Sequence, residues 1–348
     1  MADTITLRRF FDAHVHFRQE WLLALMLSFI SRYARYGVAM PNTRPAILTA
    51  QNVVRYRELI QQVFVTQPIQ PAFEPLMTIE IRDNTTPEMV VAAFEAGAVA
   101  GKVYPLGTTT NSDEGLRDFF SPSIGETFRA MEEIGMLLLI HGELDGERVL
   151  VTEREHVFLP TLPLLHQSFP GLKIVLEHVS TKEGIEMVEQ LGENVAATLT
   201  PHHLCTTLND AIGYGVRPHN VWMPISKGFD DLDALLAAAT SGKGYCFLGS
   251  DIAAHRIGDK ECAVGKTGGF TGSLVPSLLM KIFKEQGCLD KIDGFASGFG
   301  PRFYGLDPIV ETMEMVRELC VVEEQYGEGD NVVVPFMAGQ EFEWQLAA

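Results

Sequence analysis

Cysteine is scarce in this chain and never closely paired. Five cysteines, Cys205, Cys246, Cys262, Cys288 and Cys320, are scattered over 348 residues without a Cys-x-x-Cys spacing. An odd, dispersed set argues against a disulfide framework and reads as reduced thiols in a cytoplasmic protein. Cys205 and Cys246 read as core residues. Long apolar runs are missing too, since none reaches the ~18 residues that span a bilayer. The nearest, WLLALMLSFI from Trp21 to Ile30, reads as a helix. It follows a charged segment, unlike the apolar core of a signal peptide. Positive charge is in deficit: 27 Lys and Arg against 45 Asp and Glu give a net charge of −18. That balance argues against nucleic acid and against anionic membranes as partners. A small anionic substrate stays open, because a few local cations can reverse the field inside a pocket. Internal repeats and low-complexity segments are also lacking.

What is present is an ordinary globular composition, 46% hydrophobic and 21% charged. That is enough to bury one large barrel or two domains. Strand-like and helix-like segments alternate. Strands are expected at Asp12–His14, 37–40, Glu74–Ile81, Ala98–Val103, 136–140, 172–176, Val195–Leu199 and 244–248, with helices between them. One of those helices is expected over residues 152–168. Eight βα units imply a parallel sheet and favour a closed (β/α)8 TIM barrel in the α/β class. The expected organisation is a single domain over 1–348, with a barrel core at about 11–300. A small β extension joins terminal strands at 4–10 and 331–346, the latter read as a hairpin turning at Ala338-Gly339.

Isolated polar residues end the apolar runs. They are His14 and His16 in DAHVHFR, Lys102 after AGAVAG, His141 after MLLLI, His178 after KIVLE, and Asp251 after CFLGS. A parallel barrel delivers all its strand ends to one face. Four His, one Lys and one Asp there match the ligand set of a two-metal hydrolytic centre. The spacing His-x-His puts both imidazoles on one side of a strand. A buried lysine either forms a structural ion pair or loses its charge. Among these ligands we favour a neutral amine that adds carbon dioxide, giving a carbamate able to bridge two metals. Glu143 and Glu177 either orient His141 and His178 or are solvated loop charges. Asp251 can ligate a metal and also shuttle a proton. Arg18 shares the face of His16 and suits carboxylate recognition, or else a surface ion pair. Asn42 can join it. His255 alone would read as a loop histidine. His202 and His203 read as ligands or wall residues, Met223 as a pocket wall, and His156 and His166 as surface residues. Residues 104–121 have the small, hydroxyl-rich composition of a lid.

DAHVHFR, MPNTRP, AGKVYP, TTTNS, LLIHGE, EHVSTKEG, TPHHL, GVRPH and GSDIAAHR occur in that order. Together they resemble dihydroorotase of the single-function bacterial type, in the amidohydrolase superfamily, over nearly the whole chain. The resemblance implies reversible, zinc-dependent cyclisation of N-carbamoyl-L-aspartate to L-dihydroorotate in de novo pyrimidine biosynthesis. It implies two Zn2+ bridged by N6-carboxylated Lys102 and a hydroxide. His14, His16 and Asp251 would serve the first metal, His141 and His178 the second, with Asp251 as the acid/base. Substrate contacts are implied for His16, Arg18, Asn42, Thr109, Thr110, His141, Met223, His255 and Thr267. Met223 and Thr267 would act through backbone groups, and Thr109 and Thr110 as a closing loop tip. A homodimer is implied as well. The loop after Asp251 departs from the family in its lower cysteine and proline content, and MPNTRPA has one proline fewer. The alternative is another binuclear cyclic amidase, hydantoinase- or allantoinase-like, which would have no use for a carboxylate clamp of Arg18, Asn42 and His255. A metal-free scaffold protein is a further alternative, but it would have lost ligands that this chain keeps.

Overall fold

The computed structural model describes residues 3–67, 72–109 and 111–347, so Thr110 lies outside the described residues. The chain opens with β1 (Thr4–Arg8) and then enters an eight-stranded parallel sheet. Its strands are β2 (Phe10–Val15), β3 (Ala34–Ala39), β4 (Glu74–Ile81), β5 (Ala98–Val103), β6 (Leu137–His141), β7 (Ile174–Glu177), β8 (Val195–Leu199) and β9 (Cys246–Leu248). They lie side by side in chain order, with helices between them, as a (β/α)8 barrel requires. The seam between β9 and β2 is stitched just beyond the strand ends. There the Asp251 amide donates to His14 O at 2.9 Å and the His16 amide donates to Ile252 O at 3.1 Å.

The strand sequences explain which side chains face inward. Along β6, Leu138 and Ile140 join the large cluster shared with the helices, whereas Leu137 and Leu139 join a second, smaller cluster. Val175 on β7 and Ala100 on β5 belong to the smaller cluster too. That cluster is the barrel interior, closed at the bottom by Phe303, Tyr304 and Ile309. Side chains alternate with period two. The same parity that puts Ala100, Leu139 and Val175 inside therefore puts Lys102, His141 and Glu177 inside, one step nearer the mouth.

Helix Glu20–Tyr33 buries Leu23, Met26, Leu27 and Ile30, a single stripe at helical spacing. Helices Ala50–Thr66 and Lys182–Leu191 start at Thr49 and Thr181, whose side chains accept from the amides of Asn52 and Gly184. The region 152–168 holds two helices, Arg154–Phe158 and Thr161–Ser168, instead of one. Pro160 lies at the break, where its ring and missing N–H prevent continuation. The tail also differs from the expected hairpin. A long strand, β10 (Thr312–Val321), pairs antiparallel with both β1 and β13 (Glu341–Leu346). Meanwhile β11 (Tyr326–Glu328) pairs with β12 (Asn331–Val333). Residues 331–333 therefore do not pair with 341–346. No helix among the described residues is long and apolar enough to cross a membrane.

Candidate active site

The strand ends bring their polar side chains together. His14 Nε2 and His16 Nε2 are 3.2 Å apart. Asp251 Oδ1 lies 3.4 Å from the first and 3.2 Å from the second. Ligand atoms of these three residues all fall within 4.8 Å of one another, which suits a cation. Beside them His141 Nδ1 and His178 Nε2 are 3.1 Å apart. The rings of His14 and His178 have centroids 5.0 Å apart, so the two groups form one cluster.

Local backbone geometry aims these groups. His178 and Asp251 sit at φ +43° and +47°, in the left-handed region that costs a non-glycine residue on the order of 1–3 kcal/mol. Thr198 Oγ1 accepts from the His178 amide at 2.7 Å, and the seam bond holds Asp251. Gly249 is required by close approach. A Cβ there would stand 2.7 Å from Thr198 Cβ and 3.1 Å from His14 Cβ. Asp12 braces the same seam. Its Oδ1 accepts from the Ser250 amide at 2.8 Å and its Oδ2 accepts from the Tyr33 hydroxyl at 2.9 Å.

Three of the four imidazoles have an oxygen behind them, and His178 Nδ1 has no partner among the described residues. His14 Nδ1 faces Glu177 Oε1 at 3.0 Å, His16 Nδ1 faces Asn42 Oδ1 at 2.8 Å, and His141 Nε2 faces Glu143 Oε2 at 2.8 Å. For His16 and His141 the hydrogen-bonded oxygen holds the proton on that nitrogen and leaves the other lone pair for a cation, whereas His14 Nδ1 and Glu177 Oε1 meet at ion-pair distance without a hydrogen bond. Burial pulls His14, His16 and His178 below the ordinary imidazole range, and nearby cations add to the effect. Neutral rings, the form that ligates metal, are therefore favoured. Glu177 and Glu143, left undecided by the sequence, are both fully buried partners of imidazoles. Glu177 also forms a buried ion pair with Lys102. It therefore serves His14 and Lys102 instead of the neighbouring His178. Burial pulls the Lys102 ammonium well below the ordinary lysine range, with Asp251 pulling back.

Above the cluster opens a small cavity. His14, His16, Arg18, Asn42, Thr109, His141, His178, Met223, Asp251 and Thr267 line it, together with Tyr104, Ala253 and Gly268, which the sequence did not single out. Arg18 donates through Nε to Ala254 O at 3.0 Å, and its Nη2 lies 3.1 Å from His255 Nε2. Burial and the neighbouring Arg18 pull His255 far below its ordinary value. The neutral ring accepts from the guanidinium at Nε2 and keeps its proton on Nδ1. Asn42 serves His16 through Oδ1, and its backbone carbonyl accepts from Asn111 Nδ2 at 3.0 Å. Lys260 was also missed. Its buried ammonium donates to the carbonyls of Val221 at 3.3 Å, Lys266 at 3.2 Å and Gly268, tying together the segments that carry Met223 and Thr267.

The remaining histidines stand apart from the cluster. His203 lies between Thr200 Oγ1 and Pro224 O, each at 2.8 Å, and is a wall residue. His202 packs on Trp222 with centroids 4.3 Å apart. His156 faces Glu183 at 3.1 Å on the surface.

No family model matches the chain. Full-length relatives do. The dihydroorotase of Vibrio cholerae is 42% identical over 346 residues, covering 99% of each chain. Among solved structures, dihydroorotase from Campylobacter jejuni superposes with a TM-score of 0.91 at 31% identity, over 100% of this chain and 98% of the other. Dihydroorotase from Saccharomyces cerevisiae in complex with 5-fluoroorotic acid gives 0.89 at 32% identity, over 99% and 98%. An L-hydantoinase from Arthrobacter aurescens covers 99% of this chain and 83% of its own at a TM-score of 0.77, but at 15% identity it shares the fold alone. With identity of this level running from end to end of both chains, the protein belongs to the dihydroorotase family.

Proposed function

We propose that this protein is a zinc-dependent dihydroorotase. It would close N-carbamoyl-L-aspartate to L-dihydroorotate, and reopen the ring, in de novo pyrimidine biosynthesis. The observation that carries the reading is the Arg18–His255 pair standing beside a cavity walled by the histidine and aspartate cluster. A cyclic amide that bears a carboxylate needs both parts, whereas hydantoin needs only one.

The donor set fits a pair of metal ions. His14 Nε2, His16 Nε2 and Asp251 would hold the first, and His141 Nδ1 and His178 Nε2 the second. Imidazole and carboxylate together favour zinc. Lys102 would bridge the two after its neutral Nζ bonds to the carbon of carbon dioxide and releases a proton. Its burial and lowered pKa support that step. Glu177 would then remain with His14 Nδ1. Metal bound there supplies Lewis acidity, polarising the ring carbonyl and lowering the pKa of water.

The chain's own groups do the rest. Arg18 and His255 hold the substrate carboxylate through charge-assisted hydrogen bonds. They fix a flexible acyclic chain in a conformation ready to close. In the hydrolytic direction Asp251 accepts the proton of the attacking water and returns it to the ring nitrogen as the C–N bond breaks. In synthesis the same carboxylate takes the proton from the attacking nitrogen. Met223 and Thr267 would hold the ring through their backbone, and Thr109 and Thr110 would close the loop over it. Zinc as the physiological metal, a homodimeric state and a cytoplasmic setting belong to this proposal.

The test is an assay of ring opening with dihydroorotate, hydantoin and allantoin, each with and without chelator. Turnover of dihydroorotate alone, abolished by chelator and restored by zinc, is the expected result. Hydantoin or allantoin turned over as fast as dihydroorotate, or indifference to chelator, overturns the reading.

A further inference from the structure

Tyr104 is a polar group that the mechanism above leaves unused. It follows Lys102 by two residues and is only 2% exposed, yet it lines the cavity. Its ring is held on the side of the ligand cluster. Lys102 Nζ lies 5.0 Å from the ring centroid, and the His141 ring centroid lies 6.4 Å away. Its backbone is anchored as well. Tyr104 O accepts from the Leu116 amide at 2.9 Å, and a Cβ on Gly115 would come within 2.4 Å of that carbonyl. Only glycine lets the returning loop lie so close, so the tyrosine cannot shift without moving the loop.

The hydroxyl has no protein partner among the described residues and is shut off from bulk water. Arg18 and Asp251, which also line the cavity, lie within electrostatic reach of it. Buried hydroxyls in native proteins are almost always paired, because leaving one unpaired is costly. Tyr104 lines the cavity, so a molecule filling the cavity is the partner that the fold leaves open to it. A phenol offers an O–H donor at neutral pH. Arg18 and His255 take the carboxylate at one side. Tyr104 stands on the side of Lys102 and His141, where a carbonyl oxygen of the ring or of the carbamoyl group would lie.

We infer that the Tyr104 hydroxyl is a substrate contact, donating a hydrogen bond to a carbonyl oxygen of the bound ring. This rests on reading the cavity as a dihydroorotate site. If that oxygen gains charge as the ring opens or closes, the bond strengthens in the transition state and its loss is seen in kcat. If it does not, the loss is seen in KM.

Tyr104→Phe removes the oxygen and keeps the ring packing against Lys102 and His141. The measurements are metal content, melting temperature, kcat and KM for dihydroorotate, and orotate affinity by calorimetry. Metal content and melting temperature should stay at the wild-type value, while orotate affinity and kcat/KM each fall about tenfold. Affinity and rate equal to wild type overturn the contact. So does a loss that merely tracks lost metal, which would assign the hydroxyl to the ligand cluster. Wild-type protein that ignores dihydroorotate sinks the functional reading and this contact with it. Active wild type beside an indifferent variant sinks the contact alone.

Discussion

The floor of the site and its rim are built differently. The floor is made at strand ends. His14, Lys102, His141 and His178 are at most 2% exposed, and buried carboxylates back three of them. The rim is made of loops. Asn111 donates to the Asn42 carbonyl and accepts from the exposed Arg44 at 2.8 Å. The Thr109 amide donates to Ser112 Oγ at 3.0 Å, and the segment that follows is tied down through Arg82–Glu114 and Arg117–Asp83. Ladder hydrogen bonds and full burial fix the floor groups, whereas the rim rests on contacts worth about 0–1 kcal/mol each in water. Groups that must keep a fixed spacing are on stiff elements, and groups that must admit and release a ligand are on yielding ones.

Substitutions from floor to rim should trace that gradient. Lys102→Ala should have the largest effect, losing bound metal and roughly 10³-fold or more of turnover. Metal analysis and activity assays check this, and short carboxylic acids should restore part of both. Full metal occupancy without them breaks the contrast, because Lys102 would then be a structural ion pair only. Asp251→Asn should keep much of the metal and still lose about 10²–10⁴-fold in kcat, the range of general acid–base catalysis. Near-native turnover would remove its proton-transfer role.

On the wall, burial holds His203 at about 4, against 6.5 for the free imidazole. Between those values the unfolded chain binds the extra proton. Stability present above pH 6.5 is therefore lost as the pH falls toward 4, by about 2–3 kcal/mol from this residue. His203→Gln can keep the donor to Pro224 O without the titration. Denaturant melts at pH 7 and pH 4.5 should show a smaller acid loss in the variant, and an unchanged loss would assign the acid sensitivity elsewhere. At the rim, Arg18→Met should raise KM about 10–100-fold with metal content unchanged. Metal loss in that variant would merge rim with floor. Smallest of all, Asn111→Ala should change KM by only a few-fold and leave the melting temperature in place. A tenfold fall in kcat would show that the loop tip gates turnover.

The same contrast explains what could be read in advance. A polar residue ending an apolar run is visible in one dimension, so the polar strand ends and the parallel barrel were legible. The barrel strands lie within a few residues of their expected places. Partners set by cross-strand register were not legible. Glu177 precedes His178 in sequence, but parity turns it inward onto Lys102 and His14. Tyr104 shares the inward parity of Lys102, a signal that existed and was not used. Lys260 binds carbonyls across a loop whose path no periodicity encodes. Thr267 came into view through resemblance to a family, whereas Met223 was readable as a pocket wall and Thr109 as part of a lid-like segment. In the tail, alternation marked strands but not their partners, so the expected 331–346 hairpin gave way to pairing with β10 and β11.

The seam has a consequence for synthesis. Its two edges lie near opposite ends of the barrel sequence, and the bonds that join them run between His14 or His16 and Asp251 or Ile252. A ribosome adds about 5–20 residues per second, so the first histidines wait on the order of tens of seconds for the aspartate. No nascent chain ending short of residue 251 can bring His14, His16 and Asp251 together.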